Sequence, residues 1–170
     1  MILAVDPGTD LSAIVELDGD RIVDARHLDN EAMRRHIADR SVALNAGYEH
    51  VLAVEMIASY GMPVGREVFE TCVWLGRMIE VWGAEWTYVY RRDVKLHLCD
   101  SARAKDGNVR QALIDRYGGT RAKAIGTTKQ RGPLYGISKD LWAALAVGVT
   151  YYDQQESRRA SMRTATSPEV

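Results

Sequence analysis

With 170 residues, 46% of them hydrophobic, the chain has apolar material for one core of ordinary size and too little length for two full domains. Its formal charge of -1 neither proposes nor excludes a nucleic-acid partner, so the distribution of charge has to decide. Only Cys72 and Cys99 are present, without metal-ligand spacing, which argues against a disulfide framework and a structural zinc site; no apolar run approaches the roughly 20 residues of a membrane span.

Three strands open the chain, over residues 2–6, 12–17 and 21–26, with Asp18-Gly19 supplying hairpin chemistry between the last two. Asn30 is placed to cap a helix running to about Asn45, with Met33, Ile37 and Val42 or Leu44 as its stripe and Gly47 as its stop. A fourth strand follows over 50–55. From 64 to 82 the spacing of Val68, Cys72, Leu75, Ile79 and Trp82 predicts a helix that ends at Gly83. Val73, Trp74, Met78 and Val81 widen its apolar surface beyond one stripe, so this helix is expected to meet a second copy of the chain as well as its own sheet. Residues 86–90 read as a fifth strand and 93–98 as a short helix.

Asp106 or Asn108 starts another helix, with Val109, Leu113, Ile114 and Tyr117 inward and Gly118-Gly119 at its end. Ser138 is expected to cap the last helix, in which Trp142, Leu145, Ala146, Val149 and Tyr152 recur at helical intervals and Asp140 falls in the first turn. A carboxylate there is favoured by the helix dipole and remains available to a cation. Residues 154–170 are polar, with little to bury, and read as a disordered tail behind a single domain of residues 1–153. The first residues carry no basic leader, and the expectation is a cytoplasmic protein with no membrane partner.

Charge is uneven along this layout. Between Tyr117 and Lys139 lie Arg121, Lys123, Lys129 and Arg131 and no acid, whereas Glu16, Asp18, Asp20, Asp24, Asp29 and Glu31 crowd the first third. A basic segment beside an acid-built site suits a polyanion whose phosphates meet both cations and metal. The alternative is a solvated flexible loop.

Two apolar runs, Leu3-Ala4-Val5-Asp6 and Val51-Leu52-Ala53-Val54-Glu55, each deliver one acid at the tip. Runs of that kind suit central strands covered on both faces, and an acid at the tip sits where open sheets place ligands. Taken singly, Asp6 reads as an Asx turn with Pro7-Gly8, and Glu55 as a helix-entry charge. With Asp140 as a third acid the pattern points instead to a metal site. Hard oxygen donors suit magnesium or manganese.

Four segments, LAVDPGTDLSAIVEL, VLAVEMIASYGM, YVYRRDVKLHL with AKDGNVRQALIDRYG, and KDLWAALAVGVTYYD, resemble the RuvC-type Holliday junction resolvases. Within that family they look most like the shortened RuvC-like enzymes of bacteriophages. The resemblance implies the ribonuclease H-like α/β fold: a mixed five-stranded sheet, with a three-strand antiparallel meander plus two parallel strands, flanked by helices. It also implies a metal-dependent endonuclease that resolves four-way junctions and other branched DNA. Asp6 would bridge two magnesium or manganese ions, with Glu55 on one and Asp140 on the other.

By the same resemblance Lys105 balances charge at the scissile phosphate, and Arg91, Arg92 and Lys95 grip the DNA backbone beside Lys123, Lys129 and Arg131 of the basic segment. Tyr60 would offer an aromatic wedge at the junction centre, and a homodimer through helix 64–82 would place two sites on a two-fold symmetric substrate. The family commonly has a second acid or a His–acid pair on the last helix; here Ala143 stands three residues after Asp140, leaving three carboxylates, with Asp10 or Asp106 as compensating candidates. Two other readings stay open: a binder of branched DNA without catalysis, and a nuclease of flaps, forks or RNA hybrids. Actin-like and sugar-kinase phosphotransferases share the opening strand-Asp-Gly-Thr, but 170 residues leave no room for their second domain.

Overall fold

The computed structural model describes residues 1–44, 50–59 and 61–165. Eleven elements follow in chain order among them: β1 Ile2–Asp6, β2 Leu11–Asp18, β3 Arg21–Asp29, α1 Asn30–Leu44, β4 Val51–Met56, α2 Arg66–Trp82, β5 Trp86–Tyr90, α3 Arg91–Cys99, α4 Asp106–Gly118, α5 Arg121–Ala124 and α6 Leu141–Ala165. The sheet order is β3-β2-β1-β4-β5, with β1–β2 and β2–β3 antiparallel and β1–β4 and β4–β5 parallel. This is the meander plus two parallel strands that the sequence led us to expect. Gly19, at φ 61°, turns the hairpin that Asp18↔Arg21 pairing closes.

Alternation along β1 and β4 splits the core in two. Ile2, Ala4, Val51, Ala53 and Val89 face α6, while Leu3, Val5, Leu52 and Val54 face α1 and α2 with Met33, Ile37, Leu75, Met78 and Trp82. On the α6 side the contacting residues are small. A Cβ on Gly148 would stand 2.6 Å from Leu17 Cδ1 and 2.9 Å from Ala4 Cβ, so only glycine lets this helix lie so close to the sheet. That close seat carries the start of α6 over the C-terminal ends of β1 and β4.

Several local expectations are corrected. The Asp29 carboxylate, and not Asn30, caps α1 by accepting from the Ala32 N–H at 2.8 Å. Asn30 is buried: it accepts from Ser12 Oγ at 2.6 Å and donates to the Gly8 and Thr9 carbonyls at 2.9 Å each. The Gly47 stop lies outside the described residues. α3 begins at Arg91, two residues early, because it follows β5 without a loop. α6 begins at Leu141, so Ser138 is not its cap; Asp140 stands just before the first helical residue, and its carbonyl accepts from Ala144 at 3.0 Å.

Residues 154–165, expected as disordered tail, continue α6. A helix already nucleated in the core extends at little cost through good helix formers, here with an Arg159–Glu156 pair at 2.9 Å. The basic segment is folded too, and not a solvated loop. Thr120 caps α5, Gly126 pairs with Arg131, and Ala124, Leu134 and Ile137 are buried. Among the described residues no helix is long and apolar enough to cross a membrane.

Candidate active site

The sheet register brings the two strand-borne acids together. Ala4 pairs with Ala53 and Val5 with Val54, so the next step places Asp6 beside Glu55 on the face that meets α6. Asp6 and Glu55 share a side-chain hydrogen bond. Asp140 reaches the same place from the start of α6, and all three line one cavity of about 420 Å³. Arg91, Lys95, Asp106, Arg110, Lys139 and Ala143 complete its polar and small-residue wall. A second cavity of about 690 Å³ adjoins it, sharing Asp6, Glu55, Arg91 and Lys95 and adding Arg92, Pro7 and Met56-Ile57-Ala58.

At Asp6, burial and the neighbouring acids outweigh the pull of the cation beside it. Burial pushes the Asp6 carboxyl up to about 8, aided by the charges of Glu55 and Asp140 and by the Glu55 hydrogen bond; Arg91 pulls the other way. Glu55 is nearly buried, and Arg91 Nη1 donates to its Oε1 at 3.0 Å and its Oε2 at 3.4 Å. The other guanidinium nitrogen, Nη2, lies 2.9 Å from Asp106 Oδ2, and Lys95 Nζ is 3.6 Å from Asp106 Oδ1. Burial works against the Arg91 charge, but Glu55 and Asp106 outweigh it and hold the guanidinium firmly protonated. The carboxyl of Asp106 is held below its ordinary range: desolvation opposes this, and Arg91 and Lys95 win.

The structure thus brings Asp6, Glu55 and Asp140 to one cavity, with Arg91 and Lys95 in its wall and Arg92 next door. It does not bring the others there. Lys105 precedes α4 as an exposed residue whose N–H donates to Asn108 Oδ1 at 2.9 Å, and it lines neither cavity. Lys123, Lys129 and Arg131 are exposed on the basic segment away from the acids, Arg131 lying 4.8 Å over the Tyr135 ring. Tyr60 lies outside the described residues. Of the two candidates for a fourth acid, Asp106 lines the site and exposed Asp10 does not.

Two wall residues were not singled out by sequence. Lys139 takes a left-handed φ of 47°, uncommon without a glycine, immediately before Asp140. Sequence marks it only as the last cation of the basic segment. Arg110 stacks 4.7 Å over Trp142, a contact between α4 and α6 that no local pattern announces.

The donor set fits a hard divalent cation. Asp6, Glu55 and Asp140 offer oxygen ligands only, and the burial and neighbouring acids that raise Asp6 make the charge environment such an ion relieves. Among the described residues no three of His, Cys, Asp and Glu already stand in ion-binding array, and Arg91 provides the nearest counter-charge.

No family model matches the chain, and no curated protein does. Solved structures do. The structure of Thermus thermophilus RuvC superposes with a TM-score of 0.60 at 16% identity, over 92% of this chain and 96% of that one. T. thermophilus RuvC in complex with a Holliday junction substrate gives 0.58 at 16% identity, over 92% and 95%. The fold is therefore the ribonuclease H-like fold of RuvC, as the sequence resemblance implied.

Proposed function

We propose that this chain is a metal-dependent, structure-selective endonuclease that hydrolyses phosphodiester bonds in branched DNA, four-way junctions foremost. The observation that carries the reading is the convergence of Asp6, Glu55 and Asp140 on one cavity at the open end of a RuvC-like sheet. That the same fold has been solved with a Holliday junction substrate supports the choice of DNA. The phage-type branch rests on the four sequence segments alone.

In this reading Asp6, Glu55 and Asp140 would hold magnesium or manganese. When bound, such ions supply the charge that activates water and steadies the departing 3'-oxygen. The rest falls to the chain. Arg92 and Lys95, in the wall of the second cavity, meet the backbone phosphates of the strand being cut, fixing its position without reading its sequence. Lys139, in the wall of the first cavity, brings a cation beside Asp140, where Lys105 had been expected to balance the scissile phosphate. Lys123, Lys129 and Arg131 carry a flanking arm, and Tyr60 wedges the junction centre.

A homodimer through α2 supplies the second site. Phe69 and Val73 stand on that helix at 61% and 62% exposure, too apolar and too open for a face with no partner. A second reading, a non-catalytic junction binder, is favoured by Ala143, which lines the cavity one turn beyond Asp140 where an acid is common in the resembling family.

The test is incubation of purified protein with labelled four-way junction, fork and linear duplex in magnesium, in manganese and in EDTA, with Asp6→Asn as control. Symmetric nicking of the junction in both metals, absent in EDTA and in the variant, is expected. Equal cutting of linear duplex argues against junction selectivity, and binding without cutting in every metal supports the second reading.

A further inference from the structure

The Arg91 bridge has no place in the metal-holding role just described. Register fixes its position: Glu55 pairs with Val89 across β4 and β5, and Arg91, two residues later, leaves the sheet on the same face at the first position of α3. From there one fork spans two acids, Glu55 at 3.0 Å and Asp106 at 2.9 Å. The Glu55 side chain is only 10% exposed, whereas Arg91 and Asp106 are 44% and 69% exposed. The inner end of the bridge is therefore the enclosed one and its outer end is open to solvent. Lys95 touches Asp106 and makes no ion pair with Glu55.

We infer that Arg91 is a resident counter-cation of the acid site. A divalent ion taking Glu55 displaces its guanidinium, which stays tethered to Asp106 and turns toward a DNA phosphate. The inference rests on the metal-holding reading and adds an exchange of partners to it. A planar fork suits both stations, since carboxylate and phosphate offer the same two-oxygen edge. Its consequence is thermodynamic coupling: metal and DNA each favour the released Arg91, so each strengthens the other's binding.

The experiment measures Mn²⁺ binding to the full chain without DNA by calorimetry. It then measures junction binding with EDTA and with Ca²⁺, for wild type, Arg91→Gln, Arg91→Lys, Lys95→Gln and Asp6→Asn. Folding of each variant is checked by circular dichroism, and Arg91→Lys guards against a destabilised Arg91→Gln because it keeps the charge and loses only the fork. Arg91→Gln is expected to bind Mn²⁺ about fivefold more tightly than wild type and Arg91→Lys by a smaller factor, with Lys95→Gln changing less than about twofold. The Ca²⁺-induced gain in junction affinity should shrink in both Arg91 variants. Equal Mn²⁺ affinity in wild type and the Arg91 variants, or equal gains in Lys95→Gln, overturns the exchange. Absence of Mn²⁺ binding that Asp6→Asn abolishes overturns the metal reading beneath it, a different result.

Discussion

Asp6 and Glu55 meet through a side-chain hydrogen bond at the ends of two neighbouring parallel strands, and burial together with that meeting pushes Asp6 up to about 8. The fold has set two carboxyls side by side at the strand ends against their own repulsion.

This sets a pH dependence. The raised value means that the folded state resists ionising Asp6, so its contribution to stability declines as pH climbs from about 4 toward 8 and the penalty is complete above that. In EDTA, wild type should lose melting temperature over this window, and Asp6→Asn should not. At pH 8 the variant is expected to melt higher; relief of only about 1 kcal/mol moves a chain of this size by about 3 °C. Saturating magnesium should erase the wild-type decline. Thermal scans across pH, with and without metal, check all three.

The seat of α6 gives a second test. Gly148→Ala places a methyl 2.6 Å from Leu17 Cδ1 and 2.9 Å from Ala4 Cβ, which the sheet cannot yield without moving the helix. Destabilisation of about 1–3 kcal/mol in urea unfolding is expected. Activity should fall as well, because the helix that moves is joined directly to Asp140.

Asn30 ties down the loop that follows Asp6. Asn30→Ala removes the 2.6 Å bond from Ser12 and both bonds to the Gly8 and Thr9 carbonyls, leaving buried polar groups unpaired. A loss of about 2 kcal/mol is expected by denaturant titration. Asn30→Asp, which keeps the shape but cannot donate to the two carbonyls, should recover little of it.

Far from the site, Asp153 of α6 takes both Arg116 nitrogens of α4 at 2.8 Å and His97 of α3 at 2.8 Å. Burial works to raise its carboxyl, yet the Arg116 and His97 bonds prevail and hold it below the ordinary range. A depressed acid stabilises above its unfolded value, and that stability is lost as pH falls through the folded one. Asp153→Asn should cost about 1 kcal/mol at pH 7 and less at pH 3, with cleavage unchanged. Urea titrations at both values measure it.

How much of this was written in the sequence depends on whether a signal is local. β1 and β5 read at their observed limits, because apolar runs bounded by turn residues are local patterns. The tip acids Asp6 and Glu55 were legible for the same reason. The Arg91 bridge was not, since its direction follows from the β4–β5 register, and a basic pair in the sequence looks the same facing phosphate or carboxylate. Asn30 misled because a residue good at capping is also good at filling a buried polar socket, and Ser12, 18 residues away, decided which. The basic segment folds through close backbone approaches at Gly126 and Gly132, where a Cβ would collide with neighbouring carbonyls. Spacing of charge carries no trace of that.

The central claim is that Asp6, Glu55 and Asp140 together hold divalent ions, and anomalous diffraction from crystals soaked in manganese tests it most directly. The account predicts anomalous density at the acid cluster, each of the three carboxylates within coordinating distance of a manganese peak, and its loss in Asp6→Asn crystals. Manganese bound only elsewhere, with Glu55 still on Arg91 and Asp140 turned to solvent, would contradict it.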